Sequence, residues 1–223
     1  MKLGILFSGG KDSVYAAYLA KQSGNELSCA IVIKSENPDS YMFHTPSIEK
    51  AEKQVEVMDV PLLVYGTKGN KEEELGDLLD AIKIAVEKYG IEGVVTGALY
   101  SEYQASRIGK ICDKLGLKSI NPLWHKEEIG YLNELIDNGF DIVITAVAAY
   151  PLDKSWLGRK IDKKFIEEAA GLRERYKIHP AGEGGEFETF VLNCPLFSKG
   201  LSIKSFEDCS SGEYSWRREI EVE

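Results

Sequence analysis

Apolar residues fall along this chain in short runs that alternate with stretches of helical period. Residues 2–7, 27–34, 62–66, 92–96 and 117–120 read as buried strands, and 12–23, 46–58, 71–89 and 102–115 as helices. The clearest period is in the third helix, where Leu75, Leu78, Leu79, Ile82, Ala85 and Val86 share one face. Short apolar strands, each followed by a helix, predict an α/β fold: a doubly wound parallel five-stranded sheet covered on both sides. After Asn121-Pro122 the pattern changes. A helix over 126–137 leads to a strand over 141–149, and a second helix over 162–176 carries Glu, Lys and Arg on its outer side. Three β-like runs follow, 187–193, 201–206 and 213–222, the last alternating large and charged residues as an antiparallel edge strand does. The expected division is a first domain over 1–122 and a smaller C-terminal α+β domain over 123–223.

Composition narrows the function classes. No run approaches the ~18 apolar residues of a membrane span, and the N-terminus enters a strand without a signal-peptide pattern. A cytoplasmic protein with no membrane partner is expected. Net charge is −9, which argues against a broad basic face for nucleic acid and permits a small-molecule substrate or a basic protein partner. Cys29, Cys112, Cys194 and Cys209 lie far apart without a C-x-x-C pair, and Cys29 and Cys112 fall on apolar faces, so buried thiols are expected. The 3 histidines have no metal-ligand spacing, which excludes an evident structural zinc site. A homo-oligomer is compatible with all of this.

The most chemically specific stretch is Ser8-Gly9-Gly10-Lys11-Asp12-Ser13, placed between the first strand and the first helix. In that position backbone N–H groups and a helix N-terminus make an anion cradle. Gly9 and Gly10 tolerate positive φ and close approach of a phosphate, Ser8 and Ser13 bring hydroxyls, and Lys11 brings a cation. Asp12 can hold a divalent metal or cap the helix. The two-glycine turn is too short for the G-x-x-x-x-G-K-[ST] loop. It has the form of a pyrophosphate loop, S-G-G-x-D-S, which splits ATP between its α and β phosphates. An ordinary capped strand–helix corner is the alternative.

Ligands of doubly wound sheets bind beyond the carboxyl ends of the strands, where strand order reverses. On that edge fall 36–45, with Tyr41 and His44, and Gly97-Ala98 followed by Tyr100, Glu102, Tyr103 and Arg107. Gly97 and Ala98 would leave room beside the loop for a ribose or α-phosphate if the first and fourth strands are neighbours. Arg107, one helical turn after Tyr103, could reach a phosphate or carboxylate, or simply pair with a glutamate. The second strong signal is the stretch 180–189, in which Glu183, Glu186 and Glu188 are interleaved with Gly182, Gly184 and Gly185. A turn gathering these carboxylates would make a negative site for magnesium, ammonium or a cationic substrate group; a solvated hairpin is the other reading. Trp124 and Trp156 are core residues or cation–π walls.

With both motifs in view, the chain resembles the diphthine–ammonia ligases, a branch of the pyrophosphate-loop ATPases in the adenine-nucleotide α-hydrolase superfamily, whose nucleotide domain is HUP-like. The matching residues are 8–13, Gly97-Ala98, Glu102-Tyr103-Gln104, Arg107, Asn121-Pro122-Leu123-Trp124 and Glu183-Gly184-Gly185-Glu186-Phe187-Glu188-Thr189. Phe187 stands where the family pattern more often has Tyr, so no hydroxyl is essential there. The resemblance implies ATP-dependent amidation of diphthine on translation elongation factor 2 with ammonia, through an acyl-adenylate, releasing AMP and pyrophosphate. It implies an ATP and pyrophosphate site at Ser8, Gly9, Gly10, Lys11, Asp12, Ser13, Gly97 and Ala98, with catalytic roles for Lys11, Asp12 and Arg107 and with Mg2+ on Asp12. Substrate contacts would come from Glu102, Tyr103, Glu183, Gly184, Gly185, Glu186, Glu188 and Thr189. Diphthine also carries a trimethylammonium group, which these carboxylates or an aromatic wall could receive. The roughly 100 residues after the nucleotide domain are too few for an added glutaminase domain of ordinary size, so free ammonium is the expected nitrogen source. Competing readings are a tRNA-modifying pyrophosphate-loop enzyme, whose thiolating types carry paired cysteines, and a non-catalytic ATP-binding module.

Overall fold

The computed structural model describes residues 1–35, 48–69 and 74–223. The segment 36–45, with Tyr41 and His44, lies outside the described residues, as do the expected first residues of the second and third helices. The chain forms two compact units, Met1–Trp124 and His125–Glu223.

In the first unit, strands β1 (Lys2–Leu6), β2 (Glu26–Ser35), β3 (Leu62–Thr67), β4 (Gly93–Val95) and β5 (Lys118–Ile120) form one sheet in the order β3-β2-β1-β4-β5. Every pairing is parallel. Helices α1 (Lys11–Gln22), α2 (Ile48–Met58), α3 (Glu74–Tyr89) and α4 (Glu102–Leu115) make the crossovers. The α/β sheet is the one the apolar runs predict. Central β2 is buried from Cys29 to Ile33 because both its faces are covered. Cys29, Ile31 and Ile33 meet Leu78, Ile82, Ile108 and Cys112 of α3 and α4, while Ala30 and Val32 alternate to the other face. Strand order reverses between β1 and β4, the edge on which a ligand site is expected.

The second unit holds α5 (Glu128–Asp137), β6 (Asp141–Val147), a 3-10 turn (Lys154–Trp156), α6 (Lys163–Tyr176), β7 (Phe187–Asn193), β8 (Ile203–Gly212) and β9 (Ser215–Val222). Its antiparallel sheet has the order β7-β6-β9-β8. Two expectations change here. The run 201–206 continues to Gly212, and the last strand is not at the edge: β9 lies between β6 and β8. The charged alternation of β9 survives inside the sheet because its charges pair across strands, Arg218 with Asp208 at 2.7 Å and Arg217 with Glu188 at 3.5 Å. Edge strand β8 is mostly exposed and carries Lys204, Glu207 and Asp208, charges that discourage edge-to-edge pairing. No helix among the described residues is long and apolar enough to cross a membrane.

Candidate active site

The loop between β1 and α1 is organised by its own side chains. Ser13 Oγ accepts from Ser8 N at 3.2 Å and from Ser8 Oγ at 3.1 Å, and donates to the Gly10 carbonyl at 3.1 Å. Gly10 is the N-cap of α1 and supplies no side-chain cap, so the first turn's N–H groups are not capped by the residue before them. Lys11 is 3% exposed, and its ammonium lies 2.9 Å from the half-exposed Asp12 carboxylate. A lysine buried this deeply needs an anionic neighbour.

Two glycines are demanded by close contacts. Gly9 has φ +76°, and a Cβ there would lie 2.3 Å from Gln54 Oε1. A Cβ on Gly97 would lie 2.5 Å from the Asp12 carbonyl carbon and 2.7 Å from Ser13 N. The β1–β4 pairing presses Gly97 flat against the start of α1, with Ala98 buried beside it. Ala98 N donates to Thr96 Oγ1 at 3.4 Å, and the Thr96 hydroxyl is hydrogen-bonded to Asn121 Oδ1 at the end of β5. The structure therefore brings 8–13, Gly97, Ala98 and Asn121 to one carboxyl edge.

Sequence reasoning passed over Gln54. Its amide is fully buried and donates to the Gly9 carbonyl at 3.0 Å, holding the turn from below. The available signal was a polar residue among Ala51, Val55 and Met58 on the inward face of α2.

Beyond Gly97, Ser101 caps α4 through Gln104 N. Glu102 is exposed in the first turn, and Tyr103 packs partly against the core. Among the described residues Arg107 pairs with no glutamate. Its guanidinium stacks on the Tyr103 ring at 3.3 Å, Nη1 donates to the Tyr103 carbonyl at 3.4 Å, and buried Nε has no hydrogen-bond partner among those residues.

In the second unit the loop 179–186 is tied from both ends. Glu186 Oε1 accepts from His179 N and Oε2 from Gly184 N, each at 2.8 Å. His179 Nδ1 accepts from Ala181 N at 3.2 Å and Glu183 N at 3.4 Å, which makes Nδ1 the unprotonated nitrogen; Nε2 faces Glu128 Oε1 at 3.4 Å. Gly184 stays small because a Cβ would meet the Glu186 carboxylate at 2.7 Å. The three glutamates thus do different things: Glu186 turns inward to the loop backbone, Glu188 pairs with Arg217, and Glu183 sits half-buried at the turn. Gly184 and Gly185 are exposed, and Thr189 is half-buried on β7 opposite Ile144. Among the described residues no group of three or more His, Cys, Asp or Glu side chains is arranged to hold a metal.

Trp156 takes the Arg159 guanidinium at 4.1 Å and packs edge-on to Phe165, so its face is already used. Burial pushes the thiols up, Cys29 to about 12 and Cys112 and Cys194 to about 11, leaving them without thiolate at neutral pH.

Sequence models of the diphthamide synthase N-terminal and C-terminal domains match residues 1–119 and 125–221. The chain belongs to the diphthamide synthase family. It is 32% identical to the diphthine–ammonia ligase of Homo sapiens over 93% of this chain and 84% of that protein, and equally so to that of Bos taurus. The diphthine–ammonia ligase of Schizosaccharomyces pombe is 32% identical over 96% of this chain, which spans 38% of that longer protein. A solved structure titled as a predicted subunit of tRNA methyltransferase, from Methanocaldococcus jannaschii, aligns with a TM-score of 0.44 at 20% identity, covering 87% of this chain and 98% of that one.

Proposed function

We propose that this diphthamide synthase family member amidates the diphthine carboxylate on translation elongation factor 2 with ammonia, consuming ATP through an acyl-adenylate and releasing AMP and pyrophosphate. Relatives named diphthine–ammonia ligase support the amidation, and membership in their family makes the chain an enzyme, a ligase forming a C–N bond. The observation that carries the ATP step is the 8–13 loop at the β1–β4 reversal, with Gly97 packed so closely on Asp12–Ser13 that a Cβ would meet their backbone.

The chemistry follows from these groups. A carboxylate resists ammonia until an oxygen becomes a leaving group, so its attack on the α-phosphate comes first and expels pyrophosphate. Lys11 and the first N–H groups of α1 would hold that pyrophosphate and stabilise the charge developing on it. Magnesium is usually carried by one or two carboxylates together with phosphates, and Asp12 is the carboxylate of this loop. The ion would offset charge on the departing group. Arg107, with an Nε unpartnered among the described residues, is suited to bind the nucleotide phosphate or the acceptor carboxylate. In this reading 1–122 binds ATP and also offers Glu102 and Tyr103 to the acceptor, which 123–223 binds through Glu183, Gly184, Gly185, Glu188 and Thr189. Glu186 shapes the loop that carries Glu183, Gly184 and Gly185. A cytoplasmic location belongs to the same reading, because the acceptor is a translation factor.

The test is pyrophosphate release from ATP and ammonium with either diphthine-bearing or unmodified factor. Release with the diphthine form alone is expected. Equal release with both would overturn the acceptor, and none with either would overturn the ligase reading.

A further inference from the structure

Three tyrosines from separate elements meet on the surface of the second unit. Tyr150 follows β6, Tyr176 ends α6 and Tyr214 occupies the β8–β9 turn. The Tyr150 ring stands nearly perpendicular to both others, at 86° and 5.4 Å from Tyr176 and at 88° and 5.0 Å from Tyr214. Burial does not explain the cluster: Tyr150 is 56% and Tyr176 43% exposed.

Its place matters. The exit of β6 and the entries of β7 and β9 lie at one end of the antiparallel sheet, since Val147 is paired with both Phe187 and Trp216. Ala148 N bonds the Glu186 carbonyl at 2.8 Å, and Tyr176 immediately precedes the segment leading into the loop 179–186. The tyrosines and the glutamate–glycine loop therefore share that end.

Charge distinguishes these rings from several other aromatic faces of the molecule. Tyr103, Trp156, Phe206, Trp216 and Tyr89 each already carry a lysine or arginine of the chain itself. Among the described residues no such cation stacks on Tyr150, Tyr176 or Tyr214. An anion is present instead. The Tyr214 hydroxyl donates to Glu213 Oε1 at 2.8 Å, and chiefly that hydrogen bond holds its phenol above the usual range. The nearby Lys154 ammonium is engaged elsewhere, 3.5 Å from Asp208 and 5.4 Å from the Trp216 ring centre.

Perpendicular aromatic faces with an adjacent carboxylate and no cation of their own are the chemistry that receives a quaternary ammonium. We propose that Tyr150, Tyr176 and Tyr214, backed by Glu213, bind the trimethylammonium group of the acceptor. This rests on the reading of that acceptor as diphthine. It also moves the cation from the loop glutamates, two of which are committed to other partners, to a wall beside them.

Binding can be read without ATP or turnover, using choline and its neutral isostere 3,3-dimethylbutan-1-ol as probes in saturation-transfer NMR. Choline should bind about two- to fivefold more tightly than the isostere, the cation–π share at an exposed site. Tyr150→Ala should erase that preference, and Tyr150→Phe, which keeps the ring, should retain it. Equal binding of the two probes marks a plain apolar patch and overturns the proposal, as does an unchanged preference in Tyr150→Ala. If choline binds as expected but diphthine-bearing factor never elicits pyrophosphate, the ligase reading falls and the cation site stands.

Discussion

A methyl group at position 97 is the smallest probe of the phosphate loop. Its Cβ would press on the Asp12 carbonyl and Ser13 N, backbone atoms that cannot swing aside as a side chain would. Gly97→Ala should cost about 1–3 kcal/mol of stability and weaken ATP about tenfold or more, since the loop must shift to admit it. Thermal melting and ATP titration calorimetry check both, and wild-type ATP affinity would place the nucleotide elsewhere. Asp12→Asn, which still offers an oxygen to the buried Lys11 ammonium, should keep the fold while abolishing pyrophosphate release; near-wild-type release would remove metal and pyrophosphate from this loop. The loop at 8–13 was legible as a strand–helix turn because its hydrogen bonds are local. Gln54 was not legible, because its role exists only once α2 has packed beneath Gly9. The same holds for Tyr150, whose partners arrive from α6 and the β8–β9 turn.

Between residues and the molecule stand elements whose shape depends on one or two polar side chains. Removing the Glu186 carboxylate strips acceptors from His179 N and Gly184 N, a loss of about 1–3 kcal/mol where those groups are shielded from water. Glu186→Ala should therefore speed hydrogen exchange at both amides and raise the acceptor KM while leaving ATP binding in place. Loss of ATP binding alone would put the loop in the nucleotide site instead. The β8–β9 hairpin has a different tie. Asp208, 8% exposed at its side chain, accepts two hydrogen bonds from Arg218, whose donation holds the carboxyl below its ordinary 3.8. A depressed folded value adds stability that is complete above the unfolded value and disappears as pH falls through the folded one. Asp208→Asn should thus melt below wild type above about pH 5, with the gap closing under acid below the unfolded carboxyl value; a gap constant down to pH 2 or so would deny the ion pair its part. In this hairpin β9 was legible from alternation and β8 only over its first residues, but their order was not. Alternation reports which face a residue takes, whereas β9 became an inner strand through pairing with β6.

At the scale of the whole chain, the change from parallel to antiparallel architecture after residue 124 suggests a division of labour. The change was visible in sequence because parallel strands are continuous apolar runs and antiparallel ones alternate. What no pattern could show is which chemistry each unit contributes, since function resides in sites and not in folds. The division makes a kinetic prediction. Substitutions at Lys11 and Gly97 should raise the ATP KM or stop pyrophosphate release whatever the acceptor, because they act on the group that leaves. Substitutions at Glu183 and Tyr150 should raise the acceptor KM at least about fivefold and leave the ATP KM within about twofold, because they act on the group that accepts and not on the one that leaves. Steady-state kinetics with each substrate varied in turn separate the two sets. A Tyr150→Ala or Glu183→Gln enzyme whose ATP KM rises as far as its acceptor KM would show that the units do not divide the substrates. The second unit would then have to be counted part of the nucleotide site.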